Sequence, residues 1–419
     1  MATLPQTEPP QPAAQRILAG FQALRERNYR LYWLGQLVSM TGSWMQTTAQ
    51  AWLVLQLTNS AFAIGLVATL QFLPVLLLSL VGGVIADRVP RFRLILVMQI
   101  LAMLLTAIFA ALVGSDLIQL WHVYLLAALQ GLVNAIDQPV RQAFAIELVD
   151  RERRTNAVAL NSIMFNLARI VGPALAGILI APFGIALVLW LNAASFLAVI
   201  GGLLLMDSTR FPAISRPHGR ALADLKEGLV YAWRTPEVLL LLILVAAIGT
   251  FGYNFSVTLP LIGGFLLNTS AAEYGILGAV LGAGSLVGAL FTAYARHPGL
   301  GRVLVSAVAF SLLLGAVALS SNYWLSLGLL LILGFAGLIF TTTAGTLVQL
   351  RVPDALRGRV TSLYMLLFMG STPIGGLLVG TTAAAWGVSS ALLICAACCL
   401  LGIGGGFLYL QRHPDQTGS

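Results

Sequence analysis

The sequence predicts an all-α polytopic membrane protein in which twelve transmembrane helices form two pseudo-symmetric bundles of six. The composition, the spacing of the apolar runs and an internal repeat carry this prediction. Of the 419 residues, 58% are hydrophobic and only 9% are charged, whereas about a quarter of the residues in a water-soluble domain are charged. Apolar runs of about 20 residues, the length that crosses a bilayer, follow one another from Leu31 to Leu410. A membrane β-barrel would instead show segments of about 10 residues with alternating polarity.

The apolar runs define the spans and the regions between them. We place the spans at residues 31–57, 61–84, 93–113, 117–140, 156–181, 184–206, 237–263, 271–295, 301–320, 323–349, 358–383 and 386–410. The chain then divides into an N-terminal tail (1–30), a first bundle (31–206), a linker (207–236), a second bundle (237–410) and a C-terminal tail (411–419). Between Arg16 and Arg30, apolar and basic residues alternate at helical spacing, which predicts an amphipathic helix on the membrane surface.

Basic residues mark one side of the membrane. Arg169 lies deep inside span five, and the other 22 of the 23 Lys and Arg fall in the tails, in the linker, or in the loops and span ends on the side of the tails. Because cytoplasmic loops carry the excess of Lys and Arg, we expect a multi-pass protein of the inner (cytoplasmic) membrane with both termini in the cytoplasm. The basic residues are spaced between spans, so the net charge of +8 indicates contacts with membrane lipid and no nucleic-acid partner.

The two bundles repeat one another in sequence. The tetrapeptide Ser-Leu-Val-Gly occurs in spans two and eight, and a Ser and a Pro 11 residues apart in span five (Ser162, Pro173) recur in span eleven (Ser362, Pro373). Parallel repeats of six spans build transporters that bind substrate near the membrane midplane, between halves that rock against each other.

A short charged segment joins spans two and three. It resembles the signature of the major facilitator superfamily at this place, Gly-x-x-x-Asp-Arg-x-Gly-Arg, with Gly83, Asp87, Arg88 and Arg91 at the matching positions. Pro90 stands where the signature has its second Gly, and we expect the turn to survive because Pro fixes φ.

Three further segments resemble exporters of this superfamily. Gly172-Pro173 in span five is similar to the Gly-Pro signature of its exporters. The segments that begin at Asn28 (Asn-Tyr-Arg-Leu-Tyr-Trp-Leu-Gly-Gln) and at Asp137 (Asp-Gln-Pro-Val-Arg-Gln-Ala-Phe) resemble the branch with enterobactin exporters and macrolide-type drug efflux proteins. The resemblance implies a secondary transporter that exports small amphipathic molecules by alternating access, with protons as the coupling ion. An importer of the same fold and a non-transporting sensor or scaffold are the alternatives.

Polar residues recur on one face of several spans. In lipid such residues must face a partner or water, so they mark either a substrate cavity or hydrogen bonds between helices. The candidate cavity residues are Ser43, Gln46 and Gln50 of span one, Gln130 and Asn134 of span four, Asn166 of span five, Asn254 of span seven, and Thr342 and Thr346 of span ten.

Arg169 is the sharpest single candidate. It lies about 13 residues into its span, near the midplane by helix rise, where a charge costs about 3 kcal/mol. Two interpretations remain open. Arg169 either bonds to backbone carbonyls of neighbouring helices as a structural residue, or it contacts an anionic group of the substrate or acts as a coupling switch.

A second set of residues predicts a gate. We expect Asp87 to bind the N-terminus of span eleven, whose unpaired amides carry a partial positive charge, when the cytoplasmic side is closed. Arg88 or Arg91 could then pair with Asp137 at the inner end of span four, close to Arg141. Gly172 and Pro173 form either a hinge or tight seal between the halves, or a simple kink. The alternative for the charged residues is that they only anchor the topology.

No Asp or Glu lies deep in a span, so proton coupling follows from the resemblance alone, and Asp137 is the nearest candidate. The sequence shows no phosphate loop, no pairing of a nucleophile with a base and no metal-ligand cluster. We therefore expect no enzymatic activity, no cofactor and no metal, and a monomer whose partners are a small-molecule substrate and lipid.

Overall fold

The computed structural model describes residues 21–207, 221–295 and 298–412. These residues form a bundle of long helices. The helices are α1 (Arg27–Thr58), α2 (Ala61–Arg88), α3 (Arg91–Gly114), α4 (Leu120–Glu147), α5 (Arg154–Leu204), α6 (Ala221–Arg234), α7 (Pro236–Ala247), α8 (Phe255–Leu261), α9 (Ala271–Tyr294), α10 (Leu300–Ala318), α11 (Tyr323–Arg351), α12 (Asp354–Met369), α13 (Thr372–Trp386) and α14 (Val388–Gln411).

Within the described residues, nine helical stretches are long and apolar enough to cross a membrane. One of them, Arg151–Leu204, has 54 residues and breaks at Gly184, where φ is 78°. Only glycine adopts this backbone region at no cost, so α5 turns back there and supplies two spans. The helices α1 and α4 fall outside the nine because they carry the polar stripes, although they have 32 and 28 residues. The fold is consistent with the twelve predicted spans.

Span seven departs from the prediction of one continuous helix over residues 237–263. A π-helical turn, Ile248–Gly252, follows α7, and Tyr253 donates its N–H to the Ile248 carbonyl at 2.8 Å. Asn254, with φ −94° and ψ 47°, is not helical, and α8 begins after it. Span eleven is also interrupted, between α12 and α13.

Each half of the molecule packs through small residues. In the first half, Gly35 and Gly42 of α1 lie against the second arm of α5, at Ala198 and Asn192. In the second half, α9 packs along α11, where Gly284 of α9 lies against the Leu331 backbone. Close approach of helix backbones through glycine is the usual mode of helix packing in membranes.

The predicted amphipathic helix of the tail differs from the structure. Residues 1–20 lie outside the described residues, Gln22–Arg25 is a 3-10 turn, and α1 already begins at Arg27. The early start has a physical cause, because the side chain of Asn28 bonds to the Asp207 carbonyl at 3.1 Å and the Tyr29 hydroxyl donates to the Ala157 carbonyl at 3.0 Å. The residues after Glu26 are thus held inside the first bundle.

The linker contains one helix in its described part. The helix α6 packs Gly228 against Arg359 of α12 and pairs Glu227 with Arg359 at 2.6 Å. Leu229 and Trp233, by contrast, are exposed. Residues 208–220 of the linker and residues 413–419 of the C-terminal tail lie outside the described residues.

Candidate functional site

The two halves meet at two seams of small residues. We call the side on which α1, α5, α7 and α12 begin the basic side, since the Arg-rich segments lie there, and the opposite side the non-basic side. In the first seam, between α2 and α13, a Cβ added at Gly65 would lie 2.9 Å from the Cα of Gly380. The hydroxyl of Thr69 donates across this seam to the Pro373 carbonyl at 2.9 Å. The two halves are therefore in backbone contact there.

The second seam, between α5 and α9, has the same construction. A Cβ added at Gly177 would lie 2.9 Å from the Cα of Gly275, and one added at Gly275 would lie 2.5 Å from the Pro173 carbonyl oxygen. Gly278 packs against the ring of Pro173, with a Cβ-to-ring distance of 3.0 Å. Both seams lie towards the non-basic ends of their helices, so the halves are closed on that side.

Towards the basic side, the helices pack mainly within their own halves. Among the described residues, α4 contacts chiefly α2 and α3, and α11 contacts chiefly α9 and α10. Leu76 of α2 still reaches Gly370 near the midplane. Ser162, Thr342 and Thr346, on the basic side of the midplane, are exposed. The arrangement is closed on the non-basic side and open on the basic side.

Arg169 lies where the second seam ends. Its guanidinium carbon is 5.8 Å from the centroid of the Phe255 ring, which belongs to the other half. The side chain is half-buried, and within the described ranges it makes no ion pair and no hydrogen bond to a backbone carbonyl. The carbonyl bonds of the structural interpretation are thus not found among the described residues, and a contact with an anionic substrate group or a role as a coupling switch stays a prediction.

A small cavity lies between the halves beside Arg169. Its volume is about 50 Å³. It is lined by Trp44, Thr47, Thr48, Pro173, Phe255, Ser256, Tyr274 and Gly278. The neighbouring pair of Trp52 and Tyr274 stacks across the halves with ring centroids 5.5 Å apart. The cavity therefore carries aromatic faces and hydroxyl groups next to a cation.

Four predicted cavity residues occupy positions that fit the prediction. Gln130 and Asn134 of α4 are half-buried, and in the described part of the chain no side-chain hydrogen bond of either is found. Asn166 of α5 lies one turn from Arg169 and donates only to the Ser162 carbonyl of its own helix, at 2.8 Å. Ser43 is half-buried and donates to the Ser39 carbonyl, also in its own helix. Their role as cavity residues, like that of Thr342 and Thr346, stays a prediction.

Three other predicted cavity residues are buried. Gln46 is buried, and its Oε1 accepts hydrogen bonds from Asn192 Nδ2 at 2.6 Å and from Thr106 Oγ1 at 3.1 Å. Gln50 is buried as well. Asn254 is fully buried, donates to the Thr250 carbonyl at 2.6 Å and packs against α13. Gln46 and Asn254 are thus contacts within their own halves, the alternative that the sequence had left open. A helical period identifies a face but does not tell which neighbour covers it.

The gate residues form a network different from the predicted pairing. Asp137 is buried and pairs with Arg141 of the same helix at 2.7 Å, while Gln99 donates to its other oxygen at 3.2 Å. Arg141 donates in turn to Gln36 of α1 at 3.1 Å. The network ties three helices of the first half together with a buried carboxylate at its centre.

The predicted partners of Asp137 are engaged differently. Arg91 pairs with Glu147 at the end of α4, and Arg88 is exposed at the end of α2. The helix α2 runs through Gly83 and Asp87, so this segment is helical up to Arg88. The side chain of Asp87 lies outside the described part of the structure, and its contact with span eleven stays a prediction for a state that is closed on the basic side.

The ion pair of Asp137 and Arg141 should be essential for stability. Removal of one partner from a buried pair costs about 3–5 kcal/mol because the other charge is left uncompensated. We expect Asp137→Ala to lower the thermal unfolding temperature of the purified protein strongly, and the double variant with Arg141→Ala to recover much of the loss.

The exposed pair of Asp354 and Arg357, 2.5 Å apart, provides the matched control. Asp354→Ala should change the unfolding temperature little, since exposed ion pairs contribute about 0–1 kcal/mol. A double variant at Asp137 and Arg141 that unfolds as early as the single variant would show that the uncompensated charge is not the cause.

The sequence did not point to several residues of the site. Phe255, Trp44 and Tyr274 are single aromatic residues within apolar runs, where nothing distinguishes them from lipid-facing ones. The seam glycines carried a signal, because Gly376 and Gly380 stand four residues apart in a small-x-x-x-small pattern. That pattern predicts a close helix contact but does not name the partner helix.

The helical fold, the two halves and the opening between them define a membrane transporter of the major facilitator type. Over residues 18–416 the chain matches the family described as transmembrane secretion effector, and it belongs to that family. The resemblance to the major facilitator superfamily predicted from the sequence is thereby confirmed.

The chain is also similar in sequence to known transport proteins and in fold to solved structures. The chain is 28% identical to the multidrug efflux pump Tap of Mycolicibacterium fortuitum over 390 residues, which cover 90% of this chain and 95% of that protein. It is 26% identical to the enterobactin exporter EntS of Citrobacter koseri, with 84% of each chain covered. A crystal structure of a bacterial homologue of the human lysosomal transporter Spinster, inward-facing and unoccupied, superposes with a TM-score of 0.73 at 13% identity over 95% of this chain and 99% of that chain.

Proposed function

We propose that this transporter exports small amphipathic molecules, of the drug or siderophore kind, across the cytoplasmic membrane by alternating access. The observation that carries the proposal is the position of Arg169, a cation near the midplane between two halves whose close seams, among the described residues, lie towards the non-basic side. A charge at this depth is retained for function rather than for stability. The names of the related proteins, a multidrug efflux pump and an enterobactin exporter, support the direction and the cargo class.

Arg169 would bind an anionic group of the cargo in this site. Its guanidinium offers five N–H donors in a planar fork that matches a carboxylate or phosphate, and no carboxylate among the described residues competes for them. Asn166, one helical turn away, would add a polar contact, and the rings of Trp44 and Phe255 would cover the apolar part of the cargo. Amphipathic anions are therefore the favoured cargo.

The two seams would act as the gate on the non-basic side. Pro173 lies in the second seam and packs against Gly275, whereas Gly172 packs against Trp44 of α1 within the first half. Pro173 would therefore be part of a seal that must part during each cycle, and Gly172 would hold α5 against α1. The predicted contacts of Asp87, Arg88 and Asp137 would close the basic side in the alternate state and bias the equilibrium between the two states.

The basic side would face the cytoplasm. The loops with Lys and Arg lie on that side, and an excess of basic residues in the cytoplasmic loops favours this orientation. Both termini would then lie in the cytoplasm, and anionic lipid would contact the basic loops. The transporter would act as a monomer. Cargo would then enter from the cytoplasm through the opening and leave through the parted seams.

Proton antiport would drive the cycle. Asp137 is a buried carboxylate of the first half at a junction of helices, and the described residues that face it are Arg141 of its own helix, Gln99 of α3 and Tyr32 of α1. The resemblance to antiporters supports protons as the coupling ion more than this geometry does, because Asp137 already has an ion-pair partner.

Uptake into inside-out membrane vesicles tests the proposal. A siderophore or an amphipathic antibiotic should accumulate in vesicles that contain the protein and not in control vesicles, and an imposed acidic interior should raise the uptake. Accumulation that ignores the pH gradient would contradict proton coupling alone. Accumulation in right-side-out vesicles only would show an importer, and no flux of any tested compound would favour the sensor or scaffold. A deletion strain screened for antibiotic sensitivity and siderophore secretion selects the compounds to test.

A further inference from the structure

One contact between the halves differs in chemistry from the others. The seams consist of small residues in van der Waals contact, with one hydrogen bond from the Thr69 hydroxyl to the Pro373 carbonyl, whereas Arg169 and Phe255 form a cation–π pair with 5.8 Å between the guanidinium carbon and the ring centroid. A cation within about 6 Å of a ring centroid is attracted by the negative charge of the ring face. This attraction strengthens in a site with little water, because the competing hydration is lost.

The break in span seven places Phe255 at this contact. The π-helical turn ends at Gly252, Tyr253 and Asn254 are not helical, and Phe255 is the first residue of α8. Asn254 is fully buried against Gly375, which fixes the break. An uninterrupted helix would rotate Phe255 to another face, so the departure from helical geometry is what aims the ring at the first half.

Other aromatic rings hold Phe255 in its orientation. Tyr253 lies 5.0 Å from it in an edge-to-face contact, and Phe310 of α10 lies 6.2 Å away. Tyr253 also contacts Phe368 of α12 at 5.1 Å. The ring that meets Arg169 is thus backed by a rigid wall that belongs entirely to the second half.

The pair marks the edge of the second seam on the basic side. Along α5 the seam runs from Gly177 through Pro173 to the Arg169 carbonyl, which lies 3.3 Å from a Cβ added at Gly282. Beyond Arg169 towards the basic side, Ser162 is exposed. The guanidinium therefore sits where the closed seam meets the open space through which cargo arrives.

We propose that Phe255 holds Arg169 in the cargo-free protein and thereby keeps the non-basic side closed, and that an anionic cargo opens the seam by drawing Arg169 off the ring. The second step rests on the proposed function, in which Arg169 meets the cargo. A ligand shifts a two-state equilibrium only by its different affinity for the two states. Competition between the cargo anion and the Phe255 ring supplies that difference, so Phe255 is a positioning residue that couples binding to the movement of the halves.

The test measures opening of the non-basic side without any cargo. Thr47, which lines the small cavity behind the seam, is replaced by Cys in a chain whose three natural cysteines are changed to Ala. A membrane-impermeant maleimide is then added on the non-basic side of intact cells, and the rate of labelling is recorded. This readout needs no cargo and no flux. The labelling result can therefore contradict the role of the Arg169–Phe255 pair while the proposed function stands, and vesicle uptake can fail while the role of the pair stands.

Incorporation of fluorinated phenylalanines at position 255 gives the decisive series. Each added fluorine weakens the negative ring face and keeps the ring shape, so the labelling rate should rise stepwise, by about 3- to 30-fold for the trifluoro ring. Phe255→Leu should raise it similarly, and Phe255→Trp should keep it low because Trp is the best cation–π partner. In an Arg169→Ala background, fluorination should have no further effect, as expected for a coupled pair.

Phe291 is the matched control. It contacts Phe335 within the second half, with ring centroids 5.7 Å apart, and it takes no part in the seams. Fluorination or Phe291→Leu should leave the labelling rate unchanged. A rate that does not respond to fluorination at 255, or that responds equally at 291, would overturn the proposal.

Discussion

We expect the Arg169→Ala variant to reach the membrane at the wild-type level and to transport nothing above the background of control vesicles. Removal of a charge from the midplane lowers the cost of insertion, which is about 3 kcal/mol for an Arg, so the protein should not be lost. The variant would lose the cation to which, in the proposed function, the cargo binds. Uptake into inside-out vesicles, normalised to the amount of protein by immunoblot, measures the effect.

Two further variants, one at Arg169 and one at an exposed Arg, sharpen the test. Arg169→Lys keeps the charge and loses the planar fork, so it should transport more slowly than the wild type but measurably. Arg30→Ala removes an exposed Arg on the basic side and should leave transport unchanged. Wild-type transport by Arg169→Ala would remove Arg169 from the mechanism.

The Gly275→Val variant should also lose transport, by a different route. Its side chain would meet the Pro173 carbonyl oxygen, 2.5 Å from the Cβ, and the Gly177 backbone. Overpacking of this kind costs about 1–3 kcal/mol, which shifts the seam towards the parted state by about 5- to 150-fold. The protein should be inserted and folded, while maleimide labelling of a Cys at Thr47 from the non-basic side should increase.

Other glycines of the chain provide controls of two kinds. Gly404 has no atom near its Cβ position, so Gly404→Val should change neither the amount of protein nor transport. Gly284 lies against the Leu331 backbone inside the second half, so Gly284→Val should reduce the amount of folded protein. If Gly275→Val behaved like Gly404→Val, the seam would not be as tight as the structure has it.

The fold follows from the sequence because the membrane leaves few choices. Backbone groups in lipid must bond within the segment, so an apolar run of sufficient length is a helix. Each predicted span overlaps a helical segment of the structure. The breaks within spans seven and eleven were not predicted, since they depend on tertiary packing. Gly252 passes close to the Phe310 ring, and this contact is invisible in the apolar run around Tyr253.

The candidate site could be predicted only in part, and the difference has a physical reason. Arg169 stood out because a charge in an apolar span is costly. The stripe of α1 did not show that Gln46 bonds to Asn192, because amides serve equally well in a cavity and between helices. Phe255 carried no signal, since its importance comes from the cation opposite and not from its own span.

Reversible cross-linking of the first seam tests the central claim, that the halves part on the non-basic side during each cycle. A Cβ added at Gly376 would lie 3.6 Å from the Ala68 Cβ, within the distance of about 3.5–4.5 Å that a disulfide needs. The variant with Ala68→Cys and Gly376→Cys should transport in reducing conditions, stop when it is oxidised and recover when reductant is added, while Ala68→Cys alone is unaffected. Undiminished transport by the fully cross-linked protein would contradict the account.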